Sequence, residues 1–164
     1  MAGNPSTPLT GNPSNHEKAD TLTGSCLCGS ITVTITDSEL WTKKRGHLCH
    51  CSNCRKVAGA PYGSNLIIEE EKVKIVDRDG TRKEFLDYET FSGKPVKRNF
   101  CGVDGNPICS ITENLPGKII LKMGIYPRIP DPEFETFADH RHDWQGTHGI
   151  PQFRIRAGGE KIEQ

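Results

Sequence analysis

Apolar and polar residues alternate with a two-residue period along much of the chain from Thr21 onward. In GSITVTITD, Ile31, Val33 and Ile35 would point one way and Thr32, Thr34 and Thr36 the other, as in a half-buried strand. SNLIIEE and KVKIVDRDG read as two more short strands, the second leaving through a turn at Asp79-Gly80. KEFLDYETF, KPVKRNFC, PICSIT and GKIILKMG continue the series, each bounded by Gly, Pro or Asn, while EFETFADH and PQFRIRA supply late strands. One segment reads as a helix, Ser52 to Ala58, with Ser52 or Asn53 as its cap and Gly59 suited to the left-handed residue past its end. The pattern predicts a mainly β fold of small packed antiparallel sheets with one short helix.

Residues 1–19 depart from this pattern. They are rich in Pro, Ser, Gly, Asn and Thr with Leu9 as the one large apolar residue, so a disordered tail is expected before a single domain over 20–160. At 34% hydrophobic and 26% charged residues, a core is possible but thin, and metal is a natural second source of stability. The formal net charge of zero argues against a nucleic-acid binder that works through a global basic field. No apolar stretch approaches the roughly 20 residues of a membrane span. The first residues lack the apolar core of a secretory signal, so a cytoplasmic setting with reduced thiols is expected.

In that setting the seven cysteines read as metal ligands rather than disulfides. Cys26 and Cys28 form one close pair; Cys49, Cys51 and Cys54 crowd into six residues; Cys101 and Cys109 follow. Extended backbone turns residues i and i+2 to the same face, so each C-x-C pair can reach one ion, and Cys51-x-x-Cys54 has knuckle spacing. Spacing permits two groupings. Cys26, Cys28, Cys51 and Cys54 could make one four-thiolate zinc site with Cys49 spare. Alternatively, Cys49, Cys51 and Cys54 form one site, while Cys26 and Cys28 join ligands near Cys101 in another. The second arrangement leaves one zinc with three protein ligands, the open-position pattern of catalytic sites.

GSCLCGSITVTI, CHCSNCRKVAGAPYGSNLII, RNFCGVDGNPICS and a closing Trp followed by GIPQF resemble the glutathione-dependent formaldehyde-activating enzyme family, which also includes centromere protein V. The resemblance runs from about Leu22 to Phe153. It implies a zinc-bearing β fold with two ions: a structural zinc on Cys26, Cys28, Cys101 and a residue three positions later, and a catalytic zinc on Cys49, Cys51 and Cys54. In this chain the residue three positions later is Asp104, where the family usually has cysteine. A carboxylate oxygen can bind zinc, so Asp104 is the expected fourth ligand, with Cys109 as the other candidate.

The activity implied is that of a carbon–sulfur lyase of the S-(hydroxymethyl)glutathione synthase type, with a small thiol such as glutathione and a carbonyl compound as partners, and neither nucleic acid nor membrane. The alternatives are a non-catalytic zinc-binding interaction domain, or the same chemistry on an intermediate of secondary metabolism.

Other residues have two readings each. Arg55 and Lys56 could bind a substrate carboxylate or be solvated helix charges; Lys43, Lys44 and Arg45 could face an anionic thiol or form a wet loop. His50 should point away from Cys49 and Cys51, as a surface group or one standing behind the ligands, with a proton-shuttling role as the sharper reading for it and for His47. His140 and His142, near Asp143 and His148, could chelate, but short histidine clusters are often unligated surface. Trp144, Tyr62 and Phe100 read as pocket walls or core.

Overall fold

The Thr/Ile alternation becomes β2 (Ile31–Thr36), whose Ile31, Val33 and Ile35 are fully buried. The computed structural model describes residues 20–163; the tail expected over 1–19 lies outside them. β2 is the middle strand of a three-stranded antiparallel sheet, between β1 (Thr21–Ser25) and β5 (Val73–Asp77).

The remaining strands are β3 (Gly46–Cys49), β4 (Gly63–Glu69), β6 (Arg82–Asp87), β7 (Val96–Cys101), β8 (Pro107–Thr112), β9 (Lys118–Lys122) and β10 (Pro132–Thr136). They form a seven-stranded sheet in the order β10-β3-β4-β9-β8-β7-β6. Leu66 and Ile68 of β4, Ile108 and Cys109 of β8, and Ile119 and Leu121 of β9 pack against Leu22, Ile31, Val33 and Ile35 from the smaller sheet. Burying an aliphatic side chain of this kind stabilises by roughly 1.5–3 kcal/mol. The core therefore lies between the sheets, and Cys49, Gly63, Asn65 and Lys122, which alternate with Leu66 and Leu121, face the other side of the larger sheet. Among the described residues no helix is long and apolar enough to cross a membrane.

Three expectations need correction. The sheets are not wholly antiparallel, because β10 pairs with β3 in parallel. PQFRIRA does not form a strand: Gln152 and Phe153 make isolated bridges to Glu135 and Lys161. The chain turns away after Phe153, where Arg154 N–H donates to Glu160 and Ile162 N–H donates to Gln152. The third concerns α1 (Ser52–Ala58). It has the expected span and a left-handed Gly59 (φ 59°), but its cap is Cys51, neither Ser52 nor Asn53. Cys51 is extended, and its sulfur accepts the Cys54 N–H at 3.3 Å. The sulfur does what a serine hydroxyl would do at that position.

Candidate metal centres

Two groups of ligand-bearing side chains are gathered, each with its ligand atoms all within 4.8 Å of one another. The first is Cys26, Cys28, Cys101 and Asp104. Cys26 and Cys28 leave the end of β1, Cys101 ends β7 and Asp104 sits in the turn before β8. The sulfur of Cys28 lies 3.4 Å from that of Cys26 and 3.6 Å from that of Cys101. Two bonds lock the loops together, Cys28 N–H to Asp104 Oδ2 at 2.7 Å and Leu27 N–H to Asn106 Oδ1 at 2.8 Å, while Asn106 N–H donates to Asp104 Oδ1 at 2.8 Å within its own turn. Burial raises the Asp104 pKa, but the N–H donors of Asn106 and Cys28 outweigh it and hold the carboxyl well below the usual carboxylate range. Three sulfurs and one ionised oxygen in a tight cluster fit zinc.

Cys109 does not belong to this group. It is buried in the core, paired across the sheet with Leu121 and Asn99. The one-site grouping also fails, because Cys26 and Cys28 lie with Cys101 and not with Cys51 and Cys54.

The second group is Cys49, Cys51 and Cys54. Cys49 ends β3, Cys51 caps α1 and Cys54 lies in its first turn, so a strand end and a helix start converge on one point. Gly63 makes this possible. It stands opposite Cys49 in the β3–β4 ladder, and a Cβ there would come within 3.2 Å of Cys54 Cβ. Asn53 Nδ2 anchors the helix to β6, donating to Asp87 Oδ2 at 2.9 Å, while Arg98 Nε donates to the same oxygen at 2.7 Å. Hydrogen bonds from Cys49 and then Cys51 hold the Cys54 thiol far below its ordinary range, and the same sharing pushes Cys49 up. Lys122 adds positive charge from β9 and also favours the Cys54 thiolate. It is 8% exposed, and its Nζ donates to Asn65 Oδ1 at 2.7 Å. Three clustered sulfurs, one of them already favoured as thiolate, fit a zinc ion, and no fourth metal-binding side chain joins them among the described residues.

His50 turns away from the sulfurs, as its place between Cys49 and Cys51 requires, but it is not at the surface. It is fully buried, with Nε2 at 2.7 Å from Glu135 Oε2. Glu135 is fully buried as well; its Oε1 lies 2.9 Å from His148 Nδ1, and Arg141 Nη1 is 3.6 Å from Oε2. Tyr62 packs edge-on against both histidines. Sequence reasoning missed Glu135, because only the parallel β10–β3 pairing brings it beside this segment.

In the basic run before the cysteines, Arg45 and Lys43 are paired with carboxylates of the chain itself. Arg45 is 8% exposed in its side chain and pairs with Asp37 at 2.8 Å and Glu69 at 2.6 Å. Lys43 pairs at 3.8 Å with Glu39 at the surface, and Lys44 is exposed. His47 stacks on Phe134. His140 and His142 join neither gathered group: His140 lies against Phe137, while His142 Nε2 contacts Arg55 Nη1 and its ring stacks on Trp144. Phe100 is half-buried on β7. Trp144 is 73% exposed, so it is a wall and not core, and with Ser52, Arg55, Lys56, Gly59, Ala60, Pro61 and His142 it lines an open groove of about 470 Å³ beside α1.

Residues 21–144 match the model of the family described as glutathione-dependent formaldehyde-activating enzyme, a span that contains both cysteine groups and the groove. Among solved structures, the chain is similar to a protein of Rhodobacter sphaeroides at 15% sequence identity, over 66% of this chain and 90% of that one, with a TM-score of 0.49. No curated protein matches the sequence.

Proposed function

The chain belongs to the glutathione-dependent formaldehyde-activating enzyme family, and from that premise we propose that it is a zinc-dependent carbon–sulfur lyase which adds a glutathione-type thiol to formaldehyde or a larger carbonyl compound. The observation that carries this reading is the gathering of Cys49, Cys51 and Cys54 without a fourth ligand-bearing side chain among the described residues. A purely structural zinc site normally has four protein ligands. Three thiolates leave one position for a visitor.

In this reading Cys49, Cys51 and Cys54 hold the catalytic zinc, and Cys26, Cys28, Cys101 and Asp104 hold a structural one. Zinc held by these three cysteines would supply Lewis acidity, favouring the ionised form of an incoming thiol near neutral pH. The reaction joins the thiol sulfur to the carbonyl carbon. The carbonyl π pair becomes an alkoxide that takes up a proton, balancing the one lost by the thiol, and the product is a hemithioacetal. With glutathione and formaldehyde it is S-hydroxymethylglutathione.

The protein's own groups act by position and charge. The Gly63 gap seats Cys54 against the sheet. Lys122 offsets negative charge collected at the sulfurs, and the His50–Glu135 bond fixes the backbone between Cys49 and Cys51. One domain over 20–160, working in the cytoplasm where thiols stay reduced, completes the proposal.

The test is exchange spectroscopy by NMR on glutathione with formaldehyde, with the spontaneous rate subtracted. Protein loaded with zinc should raise the exchange rate, and Cys54→Ser should return it to background while the fold persists. Equal rates for the two proteins would leave the trio without a catalytic role, as in a zinc-binding interaction domain.

A further inference from the structure

The two edges of the larger sheet differ. At β10 the edge is blunted: Pro132 opens the strand, the register shifts between Pro132 and Phe134, and the chain's own Gln152 bridges Glu135 from outside. Among the described residues β6 has no proline, no register shift and no strand on its outer side; it pairs with β7 without interruption from Arg82 to Asp87. Phe85 on this strand is 61% exposed, and Tyr88, one residue past its end, is 66% exposed. Charge along the segment is divided, with Arg82 and Lys83 at its start and Asp87 and Glu89 at its end. Lys83 and Glu89 belong to no ion pair among the described residues, and Asn53 and Arg98 both engage Asp87 through Oδ2, leaving Oδ1 for a further cation. Glu84, in the middle, accepts from Asn99 Nδ2 at 3.3 Å.

We infer that β6 is an interface and that its occupant is a second copy of this chain, joined edge to edge and antiparallel about a two-fold axis. Charge selects this arrangement. An antiparallel approach sets the cationic start of each segment against the anionic end of the other, whereas a parallel approach sets like against like. The charges on the edge therefore direct pairing to another β6 and do not blunt it. The pleat fixes the register, because a two-fold axis perpendicular to the sheet pairs only residues that face the same side. Centred on β6, it sets Phe85 opposite itself, Lys83 opposite Asp87 of the second copy and Arg82 opposite Tyr88 of the second copy. The two Phe85 rings then cover each other, and Arg82 has an aromatic face to lie on. Moving the axis by one residue sets either Glu84 opposite itself or Phe85 opposite Asp87, and both are worse. The strand so covered is also the one that supports α1, since Asn53 donates to Asp87 Oδ2 at 2.9 Å and to the Glu89 carbonyl at 2.8 Å.

The experiment is sedimentation velocity on the full zinc-loaded chain from about 1 μM to about 1 mM, the span in which a small interface of this kind associates. The chain should pass from monomer to a species of twice its mass. Phe85→Lys, which places two like charges on the axis, should weaken association at least about tenfold, as should Lys83→Glu, while Lys83→Arg should leave it near the natural value. Because Phe85 and Lys83 are exposed, zinc content and the unfolding midpoint should stay unchanged in all three variants. Amide hydrogen exchange on the natural chain locates the contact without any substitution: exchange over 82–87 should slow as concentration rises, and exchange over β5, an edge of the smaller sheet, should not. A monomer at the highest concentration, a dimer whose affinity Phe85→Lys leaves unchanged, or concentration-dependent protection that misses 82–87 overturns the inference.

Discussion

Asp104 accepts the backbone N–H of Cys28 at 2.7 Å, across 76 residues of sequence. Its other oxygen takes the N–H of Asn106, so one carboxylate ties the Cys26–Cys28 loop to the Cys101 turn. The carboxylate thus clamps the two loops as well as standing among the ligand atoms of the cluster.

Asp104→Ala should lower stability by about 2 kcal/mol, the worth of two hydrogen bonds to a charged acceptor in a partly solvated site. Asp104→Cys should slow zinc release to a chelator relative to the natural chain, since thiolate is the softer donor. Thermal unfolding and chelator kinetics check the two; faster release from the cysteine variant would show that Asp104 is the better ligand.

Gly63→Val should disturb the trio selectively. Even a Cβ would lie 3.2 Å from Cys54 Cβ, and the valine methyls would push α1 off the sheet. Metal analysis is expected to show loss of about one of two zinc equivalents, with the Cys26 group still loaded. Retention of both ions would mean that the helix has room to shift.

Glu135→Gln should destabilise the protein by roughly 3 kcal/mol, because breaking a buried charged cluster leaves partners uncompensated. Denaturant unfolding measures this. A change below about 0.5 kcal/mol, the usual range at the surface, would remove the network from the list of what holds the Cys49–Cys51 segment.

The Asp37 cluster gives a pH dependence away from either metal group. Burial raises the Asp37 pKa, but the Glu39 N–H, Lys72 and Arg45 outweigh it and the net shift is downward. A depressed folded pKa contributes stability that is complete above the unfolded value, about 3.9, and is lost as pH falls through the folded one. Asp37→Asn should therefore be markedly less stable than the natural chain at pH 7, and the gap should close on acidification below about pH 4. A gap that stays constant to pH 2 would assign the loss to packing.

What the sequence made legible was local. Strict alternation exposed β2, and the α1 span stood out between a cysteine turn and Gly59. β3 was too short, and too interrupted by Gly46 and His47, to show a period. The cysteines announced metal by type and spacing, but their grouping depended on β7 returning beside β1 and on α1 folding over Gly63, which spacing leaves open. The readings left open share a cause in distant partners. Arg45 stayed open between an anionic thiol and a wet loop because Glu69 lies 24 residues away, and His50 stayed open between the surface and a place behind the ligands because Glu135 lies 85 residues away on a parallel strand. The groove behind Arg55 was half legible: its cations were visible, but Trp144 gave no sign of standing opposite them.

Zinc K-edge absorption on the loaded protein, before and after glutathione is added, tests the open position at the trio most directly. The account predicts that the mean number of sulfur neighbours per zinc rises, from about three toward three and a half, as one site in two gains a sulfur. An unchanged sulfur count under saturating glutathione would contradict it.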